Sequence, residues 1–340
     1  MRTIEWLENG TVVTINQLKL PNETEFLTLK TCDDVVEAIK TMKIRGAPLI
    51  GVAAAYALAL TAHHSRAKDS ADLIRELEAA AEKLRKTRPT GVNLFWAVNR
   101  ILGKAYTFKG GARELAAMIV EEAKRIADED AAVNRTIGGY GAHLLEDGDV
   151  VLTHCNAGAL ATVEYGTALG VVRAAVEQGF FNDTATTETR PKLQGARLTA
   201  YELKKDGIPV TLISDTMVGY VMYRRMVNKV IVGADRIVRD AVINKIGTYQ
   251  IAVLAKENGI PFYVAAPKST FDLAHASAEV TIEERAPEEV LYVGGERIAP
   301  EGVDVLNPAF DITPLKYVTA VICEEGILYM EDLSSLSGNG

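Results

Sequence analysis

Cys155 ends an apolar run of strand type, Val150-Val151-Leu152-Thr153-His154, and is followed by the small-residue turn Asn156-Ala157-Gly158. Asp235 ends a second such run, Lys229-Val230-Ile231-Val232-Gly233-Ala234, and Asp215 a third, Pro209-Val210-Thr211-Leu212-Ile213-Ser214. Open α/β sheets bind ligands beyond the carboxyl ends of their strands, so the three residues are expected on one sheet edge. A thiol there is either a buried packing group or an active-site thiol tuned by a nearby helix amino end. Here that helix is expected over Thr162 to Glu177. A carboxyl group there is either a paired structural acid or, where desolvation favours its protonated form, a general acid. Asp215 is expected to play a supporting part, orienting a substrate hydroxyl.

Cations flank these positions. Arg45 precedes Gly46-Ala47-Pro48, and Pro48 suits the first turn of a helix, so residues 45–47 sit before a helix amino end, a natural anion site. Arg88 precedes Pro89 in a loop. Asn244-Lys245-Ile246-Gly247-Thr248 is expected to open a helix, with lysine and free amides making a phosphate cradle; its order is not that of a P-loop. Each cation alone reads more often as a solvated surface group and gains meaning only by convergence. The histidines form no cluster, so no metal site is expected. His154 is expected to point away from the face used by Cys155, because strand side chains alternate. No GxGxxG follows a strand, which argues against a dinucleotide.

The elements that must position these residues fall into two kinds. After two β-rich runs, Thr11–Ile15 and Glu25–Leu29, the chain is helical in pattern, with Asp33 as the cap of a first helix. Helical periodicity then runs through residues 71–86, 93–105 and 113–137, and glycines 138, 139 and 141 loosen it. From Val150 strands and helices alternate, which implies a parallel sheet covered on both faces. The fold class is therefore α/β, with residues 1–125 as a smaller, mostly helical domain, 126–333 as a sheet domain and 334–340 as a flexible tail. Of 340 residues 48% are hydrophobic and the net charge is -8, which excludes a general nucleic-acid or anionic-membrane binder. The three widely spaced cysteines suit a reducing cytoplasm. The apolar stretch Ala47–Ala62 is shorter than a membrane span and reads as a core helix.

Six short motifs in order resemble one family. They are Ile44-Arg45-Gly46-Ala47-Pro48, Arg88-Pro89-Thr90-Gly91-Val92-Asn93-Leu94-Phe95-Trp96, Thr153-His154-Cys155-Asn156-Ala157-Gly158, Glu188-Thr189-Arg190-Pro191 with Gln194-Gly195-Ala196-Arg197-Leu198-Thr199, Gly233-Ala234-Asp235-Arg236-Ile237 and Asn244-Lys245-Ile246-Gly247-Thr248. Together they resemble the methylthioribose-1-phosphate isomerases, whose superfamily includes ribose-1,5-bisphosphate isomerase and regulatory subunits of the translation initiation exchange factor. The resemblance runs from about residue 4 to residue 330. It implies Cys155 and Asp235 as the catalytic pair. It implies substrate contacts at Arg45, Gly46, Ala47, Arg88, Gln194, Asn244 and Lys245. It also implies a sugar-phosphate substrate, a homodimer, a Rossmann-like C-terminal domain without a nucleotide, and no cofactor, metal, nucleic acid or membrane.

One segment departs from the family. Phe180-Phe181-Asn182-Asp183-Thr184-Ala185-Thr186-Thr187 is polar where a buried parallel strand is expected to be apolar. It reads like translated sequencing-adapter DNA, and recovery of the same codons on resequencing establishes it as native. A weakened strand there would displace Gln194. Two rival functions share the motifs. A bisphosphate isomerase needs a second cationic patch in place of an apolar one, and a regulatory subunit turns over no pentose phosphate.

Overall fold

The computed structural model describes residues 2–180 and 183–329; the flexible tail expected over 334–340 lies outside them. Strands β1 (Ile4–Leu7), β2 (Thr11–Ile15) and β3 (Phe26–Leu29) pair antiparallel in sequence order. Five helices follow: α1 (Cys32–Lys40), α2 (Ala47–His64), α3 (Ser70–Arg85), α4 (Val92–Thr107) and α5 (Ala112–Ala142). The cap of α1 is Thr31 rather than Asp33. Its hydroxyl accepts from the Asp34 amide while the Asp34 carboxylate accepts from the Thr31 amide. This reciprocal box stabilises the helix start by about 1 kcal/mol.

Helix α2 is long and apolar enough to cross a membrane by length and composition, yet 78% of it is buried. Alanines at 53, 54, 55, 57 and 59 let α1, α3, α4 and α5 approach on all sides, and Leu49, Ile50, Val52, Leu58 and Leu60 fill the gaps. Burying each of those larger side chains contributes about 1.5–3 kcal/mol. Helix α5 continues through glycines 138, 139 and 141 instead of fraying at them, and α6 (Ala168–Glu177) packs across that stretch. Leu115, Ile119, Ala123 and Ile126 of α5 join the helical core, whereas Ile137 and Ala142 join the core of the main sheet. The division at 125/126 thus falls inside one continuous helix.

The second half builds β4 (Val150–Thr153), β5 (Asp183–Thr187), α7 (Ala200–Lys205), β6 (Val210–Ile213), α8 (Val218–Tyr223), β7 (Lys229–Val232), β8 (Arg236–Ile237), β9 (Ala241–Lys245), α9 (Thr248–Glu257) and β10 (Phe262–Ala265). There follow α10 (Glu288–Leu291), β11 (Tyr292–Val293), β12 (Glu296–Arg297), β13 (Phe310–Pro314), β14 (Ala320–Cys323) and β15 (Gly326–Tyr329). The main sheet has the order β15-β14-β10-β7-β4-β5-β6 and is parallel except for β15. Successive residues feed opposite faces. Val151, Ile231 and Tyr263 pack toward α6 on one side, while Leu152, Val230 and Val264 pack toward α8 and α9 on the other. From β4 the chain steps out to β5 and β6, then returns to β7 and continues through β10 to β14. The order reverses between β4 and β7, so the ligand crevice of an α/β sheet belongs there. Cys155 and Asp235 follow those two strands.

Three expectations are corrected. The helix expected from Thr162 starts six residues later, at Ala168; residues 158–167 are a closed loop tied by a bridge between Gly158 and Gly166. Asn244 and Lys245 end a strand rather than open a helix, and β9 pairs with β13. The polar segment does form its strand: β5 pairs parallel with β4 and β6, and Thr184, Thr186 and Thr187 are fully buried. Threonine is β-branched and fits a pleated, packed surface. Its hydroxyls find partners in part, for Thr187 Oγ1 meets His154 Nδ1 at 2.6 Å while Thr184 Oγ1 is buried without a partner. Thr184→Val removes that orphan without changing shape, and is expected to stabilise the fold by about 1 kcal/mol. A raised urea midpoint with unchanged slope checks this.

His154 pins the end of β4. Its Nε2 lies 2.8 Å from the carbonyl oxygen of Ile246, which can only accept, so Nε2 carries the proton and Nδ1 accepts from the Thr187 hydroxyl. Burial lowers the imidazole pKa to about 4, against a partial upward pull from the Ile246 carbonyl and Asp215. The folded value lies below the unfolded one, so the unfolded chain binds more protons between them. Stability from this site is complete above about pH 6.5 and declines by roughly 3 kcal/mol as pH falls toward 4. His154→Gln is expected to flatten that decline, measured as unfolding free energy against pH; an unchanged slope would contradict the buried neutral ring.

Candidate active site

The residues that begin this site are carried by turns whose geometry is fixed by close approach. Gly46 caps α2 with φ 107°, and a Cβ there would stand 2.4 Å from the Cα of Ala161. Only glycine holds that left-handed position against a backbone so close. Arg45 is thereby aimed inward at 8% exposure, and its Nη1 and Nη2 donate to Oδ1 (2.6 Å) and the carbonyl (2.9 Å) of Asn156. Cys155 leaves β4 with φ 63°; its amide donates to Thr189 Oγ1 (2.9 Å) and its carbonyl accepts from Thr199 Oγ1 (2.6 Å). Because Cys155 has left the strand conformation, alternation no longer separates it from His154, and both line one cavity. The His154 ring itself is held by Thr187 and the Ile246 carbonyl.

That cavity is lined by Cys155, Asp235, Arg45, Gly46, Ala47, Arg88, Gln194, Asn244 and Lys245 together, so every candidate except Asp215 converges there. Gln194 stays in place beside the polar strand. Asp215 does not line the cavity. Its carboxylate accepts from the amides of Thr189 (2.8 Å) and Arg190 (2.6 Å), so it fixes the loop after β5 instead of meeting a substrate hydroxyl. The expected cradle at the start of α9 is also filled. Asp311 accepts from the Gly247 and Tyr249 amides at 2.7 and 3.1 Å, which leaves those amides no anion to take. Lys245 itself, from the end of β9, reaches the cavity at 5% exposure.

Charge is distributed unevenly around the walls. Four lining cations are matched by carboxylates: Arg88 with Glu283 (3.3 Å), Arg285 with Glu283 (2.9 Å) and Glu289 (2.6 Å), Lys192 with Glu289 (3.6 Å) and Arg236 with Asp272. Among the described residues, Arg45 and Lys245 line the cavity without any ion pair. Burial lowers the Lys245 pKa, partly countered by Cys155, Glu289 and Asp235. Burial pushes the Cys155 thiol up, while Arg45 and Lys245 pull it down. Burial likewise raises the Asp235 carboxyl above its ordinary value, against Arg88, Arg45 and Lys245. The thiol is therefore not the thiolate that a helix end at Thr162 would have favoured. A carboxyl group and a thiol whose charged forms burial disfavours share the cavity with two cations that have no ion pair among the described residues. Apolar walls complete the space: Met42, Ile50, Leu94, Ala265, Ile282 and Phe310.

Sequence reasoning missed Lys192, Arg236, Arg285 and Asn156 as lining residues. Arg236 and Asn156 were adjacent to recognised positions, but Arg285 comes from the irregular cover between β10 and β13, where periodicity carries no signal.

Residues 43–330 match the initiation factor 2 subunit family. The methylthioribose-1-phosphate isomerase of Thermosipho africanus is 53% identical over 329 residues, covering 96% of this chain and 94% of that protein. The crystal structure of 5-methylthioribose 1-phosphate isomerase from Pyrococcus horikoshii superposes with a TM-score of 0.91 at 48% identity, covering 98% and 94% of the two chains. A structure described as translation initiation factor eIF-2B, subunit delta, from A. fulgidus superposes with a TM-score of 0.86 at 52% identity, covering 97% and 96%. The chain belongs to the initiation factor 2 subunit family and, within it, to the methylthioribose-1-phosphate isomerases.

Proposed function

We propose that this chain converts 5-methylthioribose 1-phosphate to 5-methylthioribulose 1-phosphate, an aldose–ketose isomerisation of methionine salvage, with Cys155 and Asp235 as its catalytic pair. The observation that carries the reading is the cavity at the switch point, lined together by a carboxyl group that burial pushes toward its protonated form, a thiol and two unpaired cations. Arg45 and Lys245 suit a single phosphate, with the Gly46 and Ala47 backbone, Gln194 and Asn244 completing the polar contacts. Arg88 joins them when it exchanges Glu283 for substrate. Because the other lining cations are matched by carboxylates, a second phosphate finds no unpaired charge, which favours the methylthio sugar over a bisphosphate. The apolar wall suits the methylthio group.

Phosphate on the anomeric oxygen blocks ordinary ring opening. Asp235 donates its proton to the ring oxygen as the bond from C1 to that oxygen breaks, leaving a cationic centre at C1. The C2 hydrogen then moves with its electron pair to C1. The C2 hydroxyl becomes a carbonyl and its proton returns to the Asp235 carboxylate, so the cycle closes with no external oxidant or reductant. A neutral Cys155 thiol stabilises the migrating centre; its raised pKa works against a base that removes the C2 proton.

The homodimer belongs to the same reading. Leu212 on the edge strand β6, Met217 before α8, Tyr220 and Tyr223 on it and Met226 after it are all exposed, Tyr223 at 78%. Large exposed apolar side chains concentrated in one edge strand and the segment that follows it fit a second copy. The mostly helical and sheet parts, divided near 125/126 within α5, are the two domains, the second Rossmann-like, and a reducing cytoplasm keeps Cys155 as a thiol.

With methylthioribose 1-phosphate as substrate, Asp235→Asn and Cys155→Ser are expected to keep their circular dichroism and lose about 10²–10⁴-fold in kcat. Near-parental rates in either would remove that residue from the mechanism. In deuterium oxide the product is expected to carry no solvent deuterium at C1; incorporation would speak for a base-catalysed path. Sedimentation of the parent chain is expected to give twice the monomer mass, and Tyr220→Asp with Tyr223→Asp the monomer mass; an unchanged mass places the interface elsewhere.

A further inference from the structure

Glu202, on α7, lies outside the cavity and has no part in the reaction as drawn, yet it is 5% exposed and bonded on every side. Its Oε1 accepts from Asn156 Nδ2 (2.9 Å) and the Leu160 amide (3.0 Å), and its Oε2 from the Ala159 amide (2.7 Å) and Arg173 Nη2 (2.8 Å). A buried carboxylate satisfied this completely is a strong orienting group. The loop closes tightly around it. A Cβ on Gly158 would stand 2.3 Å from Oε2, so the carboxylate and that glycine occupy one shape.

Asn156 is the joint between this carboxylate and the cavity. Its amide nitrogen is committed to Glu202 and to Thr199 Oγ1 (3.2 Å). Its oxygen must then face the opposite way, where it takes Arg45 Nη1. An ionised carboxylate can only accept, so Glu202 forbids the flipped amide, which would present an NH₂ group to the guanidinium. Arg45 is therefore gripped by two neutral oxygens of Asn156. Neutral acceptors fix the direction of its fork without cancelling its charge, which is how it lines the cavity unpaired while Arg88, Lys192, Arg236 and Arg285 do not. The hydrogen bonds run from Glu202 on α7 through Asn156 after β4 to Arg45, just before the Gly46 cap of α2, and the last link alone joins residues 111 positions apart.

We propose that Glu202 is a positioning residue: through Asn156 it aims the Arg45 guanidinium at the phosphate of the sugar. This rests on the reading that Arg45 binds that phosphate. A Glu202→Gln substitution keeps the volume but offers Asn156 an NH₂ group as well as an oxygen, so the amide is no longer held in one sense.

The test measures KM and kcat for methylthioribose 1-phosphate and the inhibition constant of inorganic phosphate in the parent, Glu202→Gln, Arg45→Ala and the double variant. Glu202→Gln is expected to raise KM and the phosphate constant together by about tenfold with kcat within about threefold, the pattern of lost uniform binding. In the Arg45→Ala background the same change is expected to add less than about twofold, because the two act as one unit. Raised KM in Arg45→Ala with unchanged KM in Glu202→Gln overturns the proposal alone, as does a full additional loss in the double variant. Unchanged KM in Arg45→Ala removes the phosphate reading and this proposal with it. Gly158→Ala, which crowds the same carboxylate, is the second variant if Glu202→Gln does not fold. The same joint rise is expected there, and lowered stability with parental KM overturns the positioning role.

Discussion

A carboxyl group at the end of a central strand resists ionisation because it has been taken out of water, against the pull of three cations. That is the constraint on which the rest of the site depends. If the cations won, Asp235 would be a spent acid; if burial acted alone, nothing would hold a phosphorylated sugar beside it. Burial outweighs the cations at Asp235 and also raises Cys155. The switch between β4 and β7 brings both groups to one crevice without any local sequence link between them.

The cations are sorted by what answers them. Glu283, Glu289 and Asp272, all from the cover between β10 and β13, neutralise Arg88, Lys192, Arg285 and Arg236. Among the described residues Arg45 is answered only by Asn156. We read that difference as the separation between charge that holds the cover and charge reserved for substrate. On this account the cover and the phosphate compete for Arg88, whose partner Glu283 is shared with Arg285.

Much of the sheet half was legible in the sequence because its strands are short apolar runs ending in a polar residue, and because strands and helices alternate. β4, β6, β7 and β10 lie within a residue or two of their expected places. Helices α2 to α5 were legible from periodicity, and α2 from its uniform apolarity. Failures came where tertiary contact overrides local pattern. The loop 158–167 looks helical by composition, but the bridge from Gly158 to Gly166 and the approach of Glu202 close it first. β5 looks unfit for a core, but threonines pair well in a ladder and one of them answers His154. The start of α9 looked like an open anion site, and Asp311, 62 residues beyond Tyr249, already fills it. Convergence of the candidate residues followed from motifs in order; which cations remain unpaired required the cover, whose irregular chain carries no periodic signal.

The most direct measurement is the titration of Asp235 itself in the free enzyme, followed as the carboxyl stretch in difference infrared spectra of the parent and Asp235→Asn. The account predicts a protonated carboxyl band, absent from Asp235→Asn, that persists to pH values above the ordinary aspartate value of about 3.9. A band that disappears at or below that value would mean that the cations, not burial, set the state of this acid, and would contradict its role as the proton donor to the sugar ring.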